Sequence, residues 1–259
     1  MVPFSQRSAA ITALGSALVA VLAMLGAPSN GVAAERKPLP ERLSHIGDSR
    51  QVVVVTTRNW TTSYAKLQTW QQTRAGEWER VVNPIPARVG WNGVRRAANR
   101  KQNTGTTPAG TFDLLRGFGL ARPSGVDLPY RRVDKNDWWP YDPTDPKTYN
   151  VLQPQRMQHA KWRPEWAERL KSYGTQYRYA VVLDYNSPSG IEWRRGERVA
   201  SNTADTTAGG GIFLHVNGTA ATAGCISISR ERMRQVLRWL DPDLDPVIVI
   251  GPREIIEKM

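Results

Sequence analysis

The residues of this sequence best suited to chemistry lie in one short stretch near its carboxyl end. An apolar run ends at His215, a loop rich in Gly, Ala and Thr follows, and Cys225 begins a second apolar run. If the two runs form neighbouring strands, an imidazole base meets a thiol across the loop and favours the nucleophilic thiolate. Gly224 allows close backbone approach, so the amides beside Cys225 are candidates for an oxyanion hole. By spacing alone, a buried and inert cysteine fits the pattern equally well.

The composition excludes several other kinds of chemistry. The chain has 259 residues, one Cys and three His. One Cys cannot form an internal disulfide or a Cys-rich metal site. The other histidines, His45 and His159, lie far from His215 in the sequence. We therefore expect no metal site.

Residues 1–34 have the pattern of a signal peptide. Arg7 precedes an apolar run over 8–27, and small residues at 32–34 form a cleavage site. An uncleaved membrane anchor is the alternative, because about twenty apolar residues are enough to span a bilayer. The sequence therefore predicts an exported, extracytoplasmic protein, located in the cell wall or periplasmic space or secreted. It would contact the membrane only through this segment, and only if the segment is retained.

The net charge of +12 bears on the choice of partner. Residues 1–34 carry only the charge of Arg7, so the chain after cleavage keeps +11 of the +12. Such a charge suits the anionic polymers of a bacterial cell wall. We expect no nucleic-acid binding, because the basic residues are scattered and no DNA- or RNA-binding motif is present.

The elements that must position the His–Cys stretch are mostly strands. A helix is expected over 164–173, followed by a stop at Gly174, and a second from an N-cap at Ser229 to Leu240. Strand spacing and scarce helix predict a mainly β, sandwich-like domain. Runs rich in β-branched and apolar residues predict strands at 51–57, 66–71, 78–82, 111–115, 177–185, 211–216 and 247–250, with turns at 83–86 and 104–110.

We expect a single catalytic domain over 51–252, between an N-terminal linker over 35–50 and a C-terminal tail over 253–259. Residues 120–163 are predicted to be a long irregular insertion, and connections of this length are usually functional. The insertion contains Trp138 and Trp139 beside several prolines. These aromatic residues either wall a substrate groove or cover the side of the sandwich.

The His–Cys stretch resembles the catalytic motif of the L,D-transpeptidases (YkuD-like), bacterial enzymes that cross-link peptidoglycan through a cysteine acyl-enzyme. On this resemblance His215 matches the essential histidine. Thr222, Gly224 and Cys225 match the Ser/Thr, the Gly and the nucleophile of a Ser/Thr-His-Gly-Cys motif. Upstream, the residues from Gly105 to Phe112 resemble the family signature Gly-x-Thr-Pro-x-Gly-x-Phe. The resemblance extends over residues 52–250.

The resemblance implies a β-sandwich of mixed sheets with one or two peripheral helices, and a reaction on peptidoglycan stem peptides. The Cys225 sulfur attacks a stem carbonyl with His215 as the base, and the terminal D-Ala leaves. The side-chain amine of a second stem then resolves the thioester, which gives a 3→3 cross-link. Backbone amides at Gly224 and Cys225 stabilise the oxyanion, and the Val216 carbonyl orients the imidazole. The resemblance implies no metal or organic cofactor, and it implies acylation by carbapenems.

Substrate contacts beyond the dyad are predicted from position alone. The candidates are Thr222 and Asn217 in the active loop, Tyr185 at a strand end, and Trp139 in the aromatic segment.

Two features depart from the family pattern. Ala223 stands where the family has a second His, and the loop from His215 to Cys225 is shorter than usual. Two alternatives to the transpeptidase therefore stay open. One is an L,D-carboxypeptidase that uses water as the acceptor, and the other is a non-catalytic wall-binding module.

Overall fold

The computed structural model describes residues 36–154, 156 and 160–259. Lys37–Met259 form one compact unit. The predicted signal peptide over 1–34 and the side chain of His159 lie outside the described residues. In the part of the chain that is described, no helix is long and apolar enough to cross a membrane.

Strands dominate this unit, as the β-branched runs predict, and one α-helix, α1 (Arg230–Trp239), is present among the described residues. The strands in chain order are β1 (Gln51–Thr57), β2 (Tyr64–Gln72), β3 (Trp78–Arg88), β4 (Val94–Arg96), β5 (Thr107–Gly119), β6 (Tyr130–Arg132), β7 (Asp137–Pro140), β8 (Gln153–Pro154), β9 (Ala167–Arg169), β10 (Ala180–Leu183), β11 (Ser189–Arg194), β12 (Glu197–Asn202), β13 (Phe213–Val216), β14 (Ile226–Ile228) and β15 (Val247–Pro252). Short 3₁₀ helices cover Leu39–Arg42, Ala97–Asn99, Pro164–Trp166, Leu170–Tyr173, Gln176–Arg178, Pro242–Leu244 and Ile256–Lys258.

The main sheet is mixed and returns on itself. Its strand order is β10-β13-β14-β3-β2-β1-β15-β5, and β5 also pairs with β10. The long strand β5 makes this possible, because its first half pairs with β15 and its second half, from Leu114 to Phe118, pairs with β10. β1 lies parallel to β15, and β13 lies parallel to β14, while most other neighbours are antiparallel. The sheet therefore encloses its core, as the predicted sandwich requires.

Two hydrophobic clusters lie on opposite faces of the sheet around β10, β13 and β14. The main core contains the valines of β1, Leu214 and Val216 of β13, and Met233 of α1. The second group, which we call the outer cluster, is formed by Phe118, Val133, Trp139, Leu152, Leu170, Tyr177, Ala180, Val182, Phe213 and Cys225. A three-stranded sheet, β8-β7-β9, supplies Trp139 to the outer cluster and covers that face.

The helix predicted from Ser229 is confirmed. The Ser229 side chain accepts a hydrogen bond from the Arg232 backbone N–H, which satisfies one of the unpaired amides of the first turn. Met233, Val236 and Leu237 are buried against the main core. The spacing of these three residues places them on one face of the helix.

The helix predicted over 164–173 is wrong. Residues 164–166 and 170–173 form single 3₁₀ turns, and β9 lies between them. Pairing with β7 overrides the helical signal, because Glu168 lies opposite Trp139 in an antiparallel register. Gly174 does end the second 3₁₀ turn with a φ of +52°, which suits a residue without a Cβ.

The two predicted turns are also wrong in part. Residues 83–86 continue β3, because β3 is paired along one side but meets β14 on the other side only at Arg88. Missing N–H groups at Pro84 and Pro86 are tolerated at such an open edge. In the second turn, Thr107 already begins β5, and Pro108 lies beside Arg95 of β4.

The packed domain extends beyond the predicted limits of 51–252. Leu43, in the predicted linker, and Ile256 and Met259, in the predicted tail, are buried in the main core. The Ser44 hydroxyl donates to the Glu257 carbonyl, which joins the two ends of the unit. The predicted irregular insertion over 120–163 contains β6, β7 and β8. Strands β7 and β8 belong to the three-stranded sheet β8-β7-β9 that covers the outer cluster, which we call the cover, and Trp139 of β7 packs into that cluster.

Candidate active site

Strand alternation puts His215 and Cys225 on the same face of the sheet. β13 and β14 are parallel neighbours, and His215 lies opposite Ser227. Successive side chains of a strand point to opposite faces. Leu214 and Ile226 enter the main core, so His215 faces the other side, where Cys225 belongs to the outer cluster. The short loop between the strands therefore brings an imidazole and a thiol to one surface.

The thiol of Cys225 is held by backbone groups. Its Sγ donates to the Gly211 carbonyl at 3.3 Å and accepts from the Phe213 N–H at 3.4 Å. Neither of these hydrogen bonds involves His215. Catalytic hydrogen bonds often tighten only when substrate is bound, so this geometry is compatible with a dyad that forms during the reaction.

The imidazole of His215 is buried and has backbone partners at Val216 and Gln176. Its Nδ1 lies 2.8 Å from the Val216 carbonyl, the contact that the family resemblance implies. A carbonyl oxygen only accepts hydrogen bonds, so Nδ1 carries the proton and Nε2 is the acceptor of the neutral ring. The ring edge of Tyr177 packs against the imidazole, with ring centroids 5.4 Å apart.

Both members of the dyad are electrically neutral at neutral pH. Burial lowers the pKa of His215 to about 4. The backbone groups of Val216 and Gln176 act in the opposite direction, because they favour the protonated ring. Burial also raises the pKa of Cys225 to about 12, and the negative charge of Glu168 adds to this rise. The Phe213 amide and Arg100 act in the opposite direction. A neutral imidazole beside a neutral thiol is the form in which the imidazole can accept the thiol proton.

Two threonines from the two sequence motifs hold the Cys225 backbone. The Thr222 hydroxyl donates to the Cys225 carbonyl at 2.6 Å, and the Thr107 hydroxyl donates to the same oxygen at 3.3 Å. The Gly224 N–H donates to the Thr222 hydroxyl at 3.2 Å. This partner occupies the Gly224 amide, so the Cys225 N–H is the better candidate for an oxyanion donor.

A cavity of about 270 Å³ opens at Cys225. Its wall combines aromatic, charged and backbone groups, so it can take a polar peptide. It is lined by Trp91, Arg100, Gln102, Asn103, Tyr141, Glu165, Trp166, Ala167, Glu168, Tyr173, Gly209, Gly210, Gly211, Ile212, Ala223, Gly224 and Cys225. His215 lies outside this wall, beneath Tyr177.

A positive and a negative side chain face this cavity from different elements. The buried Arg100 guanidinium donates through Nε to the Thr106 carbonyl at 2.8 Å and through Nη1 to the Ala208 carbonyl at 2.6 Å. Glu168 reaches the cavity from β9 and accepts a hydrogen bond from the Tyr177 hydroxyl at 2.6 Å. Arg100 and Glu168 therefore have different hydrogen-bond partners, and those partners fix each side chain in position.

The residues predicted to contact substrate lie outside the cavity wall. Trp139 is buried in the outer cluster, and its Nε1 donates to Asn150 at 2.8 Å. Tyr185 lies in the main core, where its ring faces Arg100 and its hydroxyl donates to Ala208 at 2.9 Å. Both are large aromatic side chains, and burying their apolar surface stabilises the fold more than exposing it to solvent would. Neither residue lines the cavity at Cys225, so the structure gives no support to the prediction that they contact substrate.

Thr222 and Asn217 have structural contacts instead of a place on the cavity wall. Thr222 bridges Gly224 and Cys225, and its carbonyl accepts from Trp91 N–H at 2.9 Å. The Asn217 N–H donates to the Ile228 carbonyl at 2.7 Å and closes the end of the β13–β14 pair. The Thr222 hydroxyl therefore supports the loop that carries Cys225. The Asn217 contact comes from its backbone, and its buried Oδ1 has no hydrogen-bond partner among the described residues.

Sequence reasoning missed the groups that form most of the wall. Glu168 lies in a segment that was expected to be helical, and Arg100 has no feature that separates it from other scattered arginines. Trp91 lies three residues after the end of β3 and is 54 % exposed, and only its exposure in the folded chain reveals it. Among the described residues, no group of three or more His, Cys, Asp and Glu side chains is arranged to hold a metal.

The comparison with known families agrees with this arrangement. The chain matches the YkuD family, the L,D-transpeptidase catalytic domain, over residues 51–249. No curated protein matches the chain. The match covers the strands that position His215 and Cys225, together with β9 and its Glu168. Because it spans well over half of the sequence, the chain belongs to the L,D-transpeptidase catalytic domain family.

Proposed function

We propose that this protein is an exported cysteine L,D-transpeptidase that acts on peptidoglycan stem peptides. The position of the Cys225 thiol carries the proposal. It lies on the wall of a polar cavity and on the same sheet face as His215. Family membership supplies the class of reaction. The signal peptide predicted over residues 1–34 and the net charge of +12 support the proposal of action in the cell wall, beside anionic polymers.

The first half of the reaction is acylation. His215 Nε2 accepts the thiol proton, and the Cys225 sulfur attacks the carbonyl of the third-position diamino acid in the donor stem. The oxyanion that forms is stabilised by the Cys225 N–H, and a donor of this kind contributes about 3–4 kcal/mol. The carbon–nitrogen bond to the terminal D-Ala breaks, and the imidazolium returns its proton to the leaving amine.

The second half of the reaction resolves the thioester. The side-chain amine of a second stem attacks the same carbonyl, the carbon–sulfur bond breaks, and a 3→3 cross-link forms. If water attacks instead, the protein acts as an L,D-carboxypeptidase. The structure favours the amine, because the acidic side chain of Glu168 faces the cavity beside the thiol. A carboxylate attracts an ammonium group, whereas its only service to water is as a general base, and the two roles are separated by the products of the reaction.

The test is intact mass spectrometry of the purified protein after incubation with a carbapenem and, separately, with a stem tetrapeptide. We expect one covalent adduct on the native protein and none on the Cys225→Ala variant. With the tetrapeptide, a dimer that lacks one D-Ala indicates transpeptidation, and a trimmed monomer alone indicates carboxypeptidase activity.

A matched variant tests the base. In His215→Asn, the side-chain amide can still donate to the Val216 carbonyl, but the second ring nitrogen is lost. We expect this variant to fold and to be acylated at least about 100-fold more slowly, as for loss of a general base. Unchanged acylation by His215→Asn would remove His215 from the mechanism. If folded, reduced native protein forms no adduct with either reagent, the wall-binding module becomes the better hypothesis.

A further inference from the structure

Glu168 is an acidic side chain at the active cavity that the family motifs do not include. It lies in the middle of β9, opposite Trp139 of β7, and it lines the same cavity as Cys225. Its Oε2 accepts the Tyr177 hydroxyl at 2.6 Å. Tyr177 also packs against the His215 ring. Glu168 is therefore fixed in position close to both members of the dyad.

The Glu168 carboxylate has no cationic partner in the part of the chain that the structure describes. Among the residues that the structure describes, no Lys, Arg or His lies within ion-pairing distance of it. The nearest cation on the cavity wall, Arg100, donates instead to the Thr106 and Ala208 carbonyls. An enclosed carboxylate without a counter-ion is costly to maintain. A ligand that brings a positive charge would remove that cost.

The surroundings of Glu168 keep a substantial share of it ionised near neutrality. Burial raises its pKa to about 7, while the hydroxyls of Tyr177, Tyr141 and Tyr173 favour the charged form. The carboxylate is close enough to Cys225 to raise the pKa of the thiol. Its negative charge is therefore felt at the point where the acyl group is attached.

We infer that Glu168 binds the primary ammonium group of the acceptor stem, as a specificity-determining residue of the transpeptidation step. This inference rests on the proposed function. The acceptor nitrogen must approach to about 3–3.5 Å from the thioester carbon on Cys225, which brings it to the same part of the cavity. The free ammonium of the donor stem is several bonds away from the reacting carbonyl, so it lies farther from the sulfur.

The proton balance of the second half-reaction then follows. The acceptor ammonium gives one proton to Glu168 and becomes a free amine. The amine attacks the thioester, the carbon–nitrogen bond forms, and its second proton passes to His215. The carbon–sulfur bond breaks, and the sulfur recovers a proton from His215. Glu168 releases its proton to solvent, so that one acceptor ammonium and one thioester give one amide, one thiol and one proton.

The first experiment measures binding without catalysis. In the Cys225→Ala protein, NMR titration compares Nα-acetyl-lysine amide with Nα-acetyl-norleucine amide, which lacks the ammonium. We expect the lysine probe to bind at least about 10-fold more tightly, as for a charged hydrogen bond. The added Glu168→Gln change should abolish this preference. The matched control is Glu165→Gln, since Glu165 also lines the cavity but is exposed, and it should keep the preference.

The second experiment separates the two half-reactions in the active protein. With the stem tetrapeptide, dimer formation by Glu168→Gln is compared with hydrolysis of the same acyl-enzyme, so that any effect of the lost charge on acylation cancels from the ratio. This ratio should fall at least about 10-fold. In the native protein the dimer-to-hydrolysis ratio should fall as pH drops through about 7, where Glu168 gains a proton. Tyr141, Tyr173, Tyr177 and Cys225, which also face it, have raised pKa values and are neutral there. The other charged groups on the same wall are Arg100 and the exposed Glu165.

Three results would overturn the inference. They are equal binding of the two probes, a lysine preference that survives Glu168→Gln, and an equal loss of acylation and dimer formation in Glu168→Gln. The last would mean that Glu168 acts on the donor or on the fold. If the native protein forms no acyl-enzyme, the proposed function fails, but the binding comparison still decides whether Glu168 recognises an ammonium group.

Discussion

The Thr107 hydroxyl connects the upstream motif to the nucleophile, and removing it tests this connection. Thr107 is fully buried. Its hydroxyl accepts from the Gly90 N–H at 2.8 Å and donates to the Cys225 carbonyl at 3.3 Å. Thr107→Val keeps the shape of the side chain and removes both hydrogen bonds. The Cys225 carbonyl keeps its second donor, Thr222, whereas the buried Gly90 N–H loses its partner.

The expected cost follows from these two losses. An unsatisfied buried N–H costs about 1–3 kcal/mol, and a lost hydrogen bond whose acceptor keeps another donor costs about 0.5–1.5 kcal/mol. Thr107→Val should therefore lower the free energy of unfolding by about 1.5–4.5 kcal/mol. For a domain of this size, that corresponds to a fall in Tm of roughly 3 to 18 °C.

Urea denaturation followed by tryptophan fluorescence measures the change, and Thr107→Ser is the matched control. Serine keeps the hydroxyl and loses one buried methyl group, so it should cost only about 1 kcal/mol. The reasoning is refuted if Thr107→Val is no more destabilised than Thr107→Ser. Carbapenem acylation of both variants, measured below their melting temperatures, should be slower in Thr107→Val, because one of the two groups that hold Cys225 is gone.

Three further predictions concern the thiol, an ion pair and a loop glycine. Alkylation of native Cys225 by iodoacetamide should be far slower than that of a free thiol at pH 7 and should rise throughout pH 7–9, because burial raises its pKa to about 12; a plateau below pH 8 would show a resting thiolate. Arg163 lowers the pKa of Asp142, so Asp142→Asn should reduce stability above pH 4. This difference from native should disappear as acid protonates the native carboxylate, and equal unfolding curves at pH 7 would contradict the prediction. Gly211 has a φ of +62°, and a Cβ there would collide with the Tyr141 hydroxyl. Gly211→Ala should therefore cost at least about 1–2 kcal/mol of stability and slow carbapenem acylation. Native-like stability and acylation would show that an alanine fits at this position without strain.

Local sequence signals predicted the parts of the fold in which local and tertiary preferences agree. β1 is a run of β-branched residues that is also buried between two neighbours, and α1 has both a capping serine and an apolar face. The sequence signals predicted the wrong element where pairing with a neighbouring strand determines the structure. Residues 167–169 form a strand because β7 lies beside them, and β3 continues through two prolines because its second side is mostly open. No property of these segments taken alone reveals their neighbours.

The shared sheet face of His215 and Cys225 could be predicted from the sequence, but the cavity could not. His215 and Cys225 are close in the chain, and strand alternation is enough to place them on one face. The cavity wall comes from segments near residues 91, 100, 168 and 210, which are brought together only by the closed sheet and its cover. Aromatic composition suggested Trp139 as a substrate contact, whereas packing against Phe118 and Phe213 explains its size.

The departure at Ala223 changes which groups control charge at the nucleophile. A second imidazole would place a titratable group two residues before Cys225, but Ala223 offers only a methyl group on the cavity wall. The charges that act on the thiol come instead from Glu168, which raises its pKa, and Arg100, which lowers it. Glu168 belongs to the cover and Arg100 to the segment before β5. The cover is therefore part of the site. Among the described residues, the cavity wall has two acidic side chains, the exposed Glu165 and Glu168 of β9. Without β9 the cavity would keep Cys225 but lose Glu168.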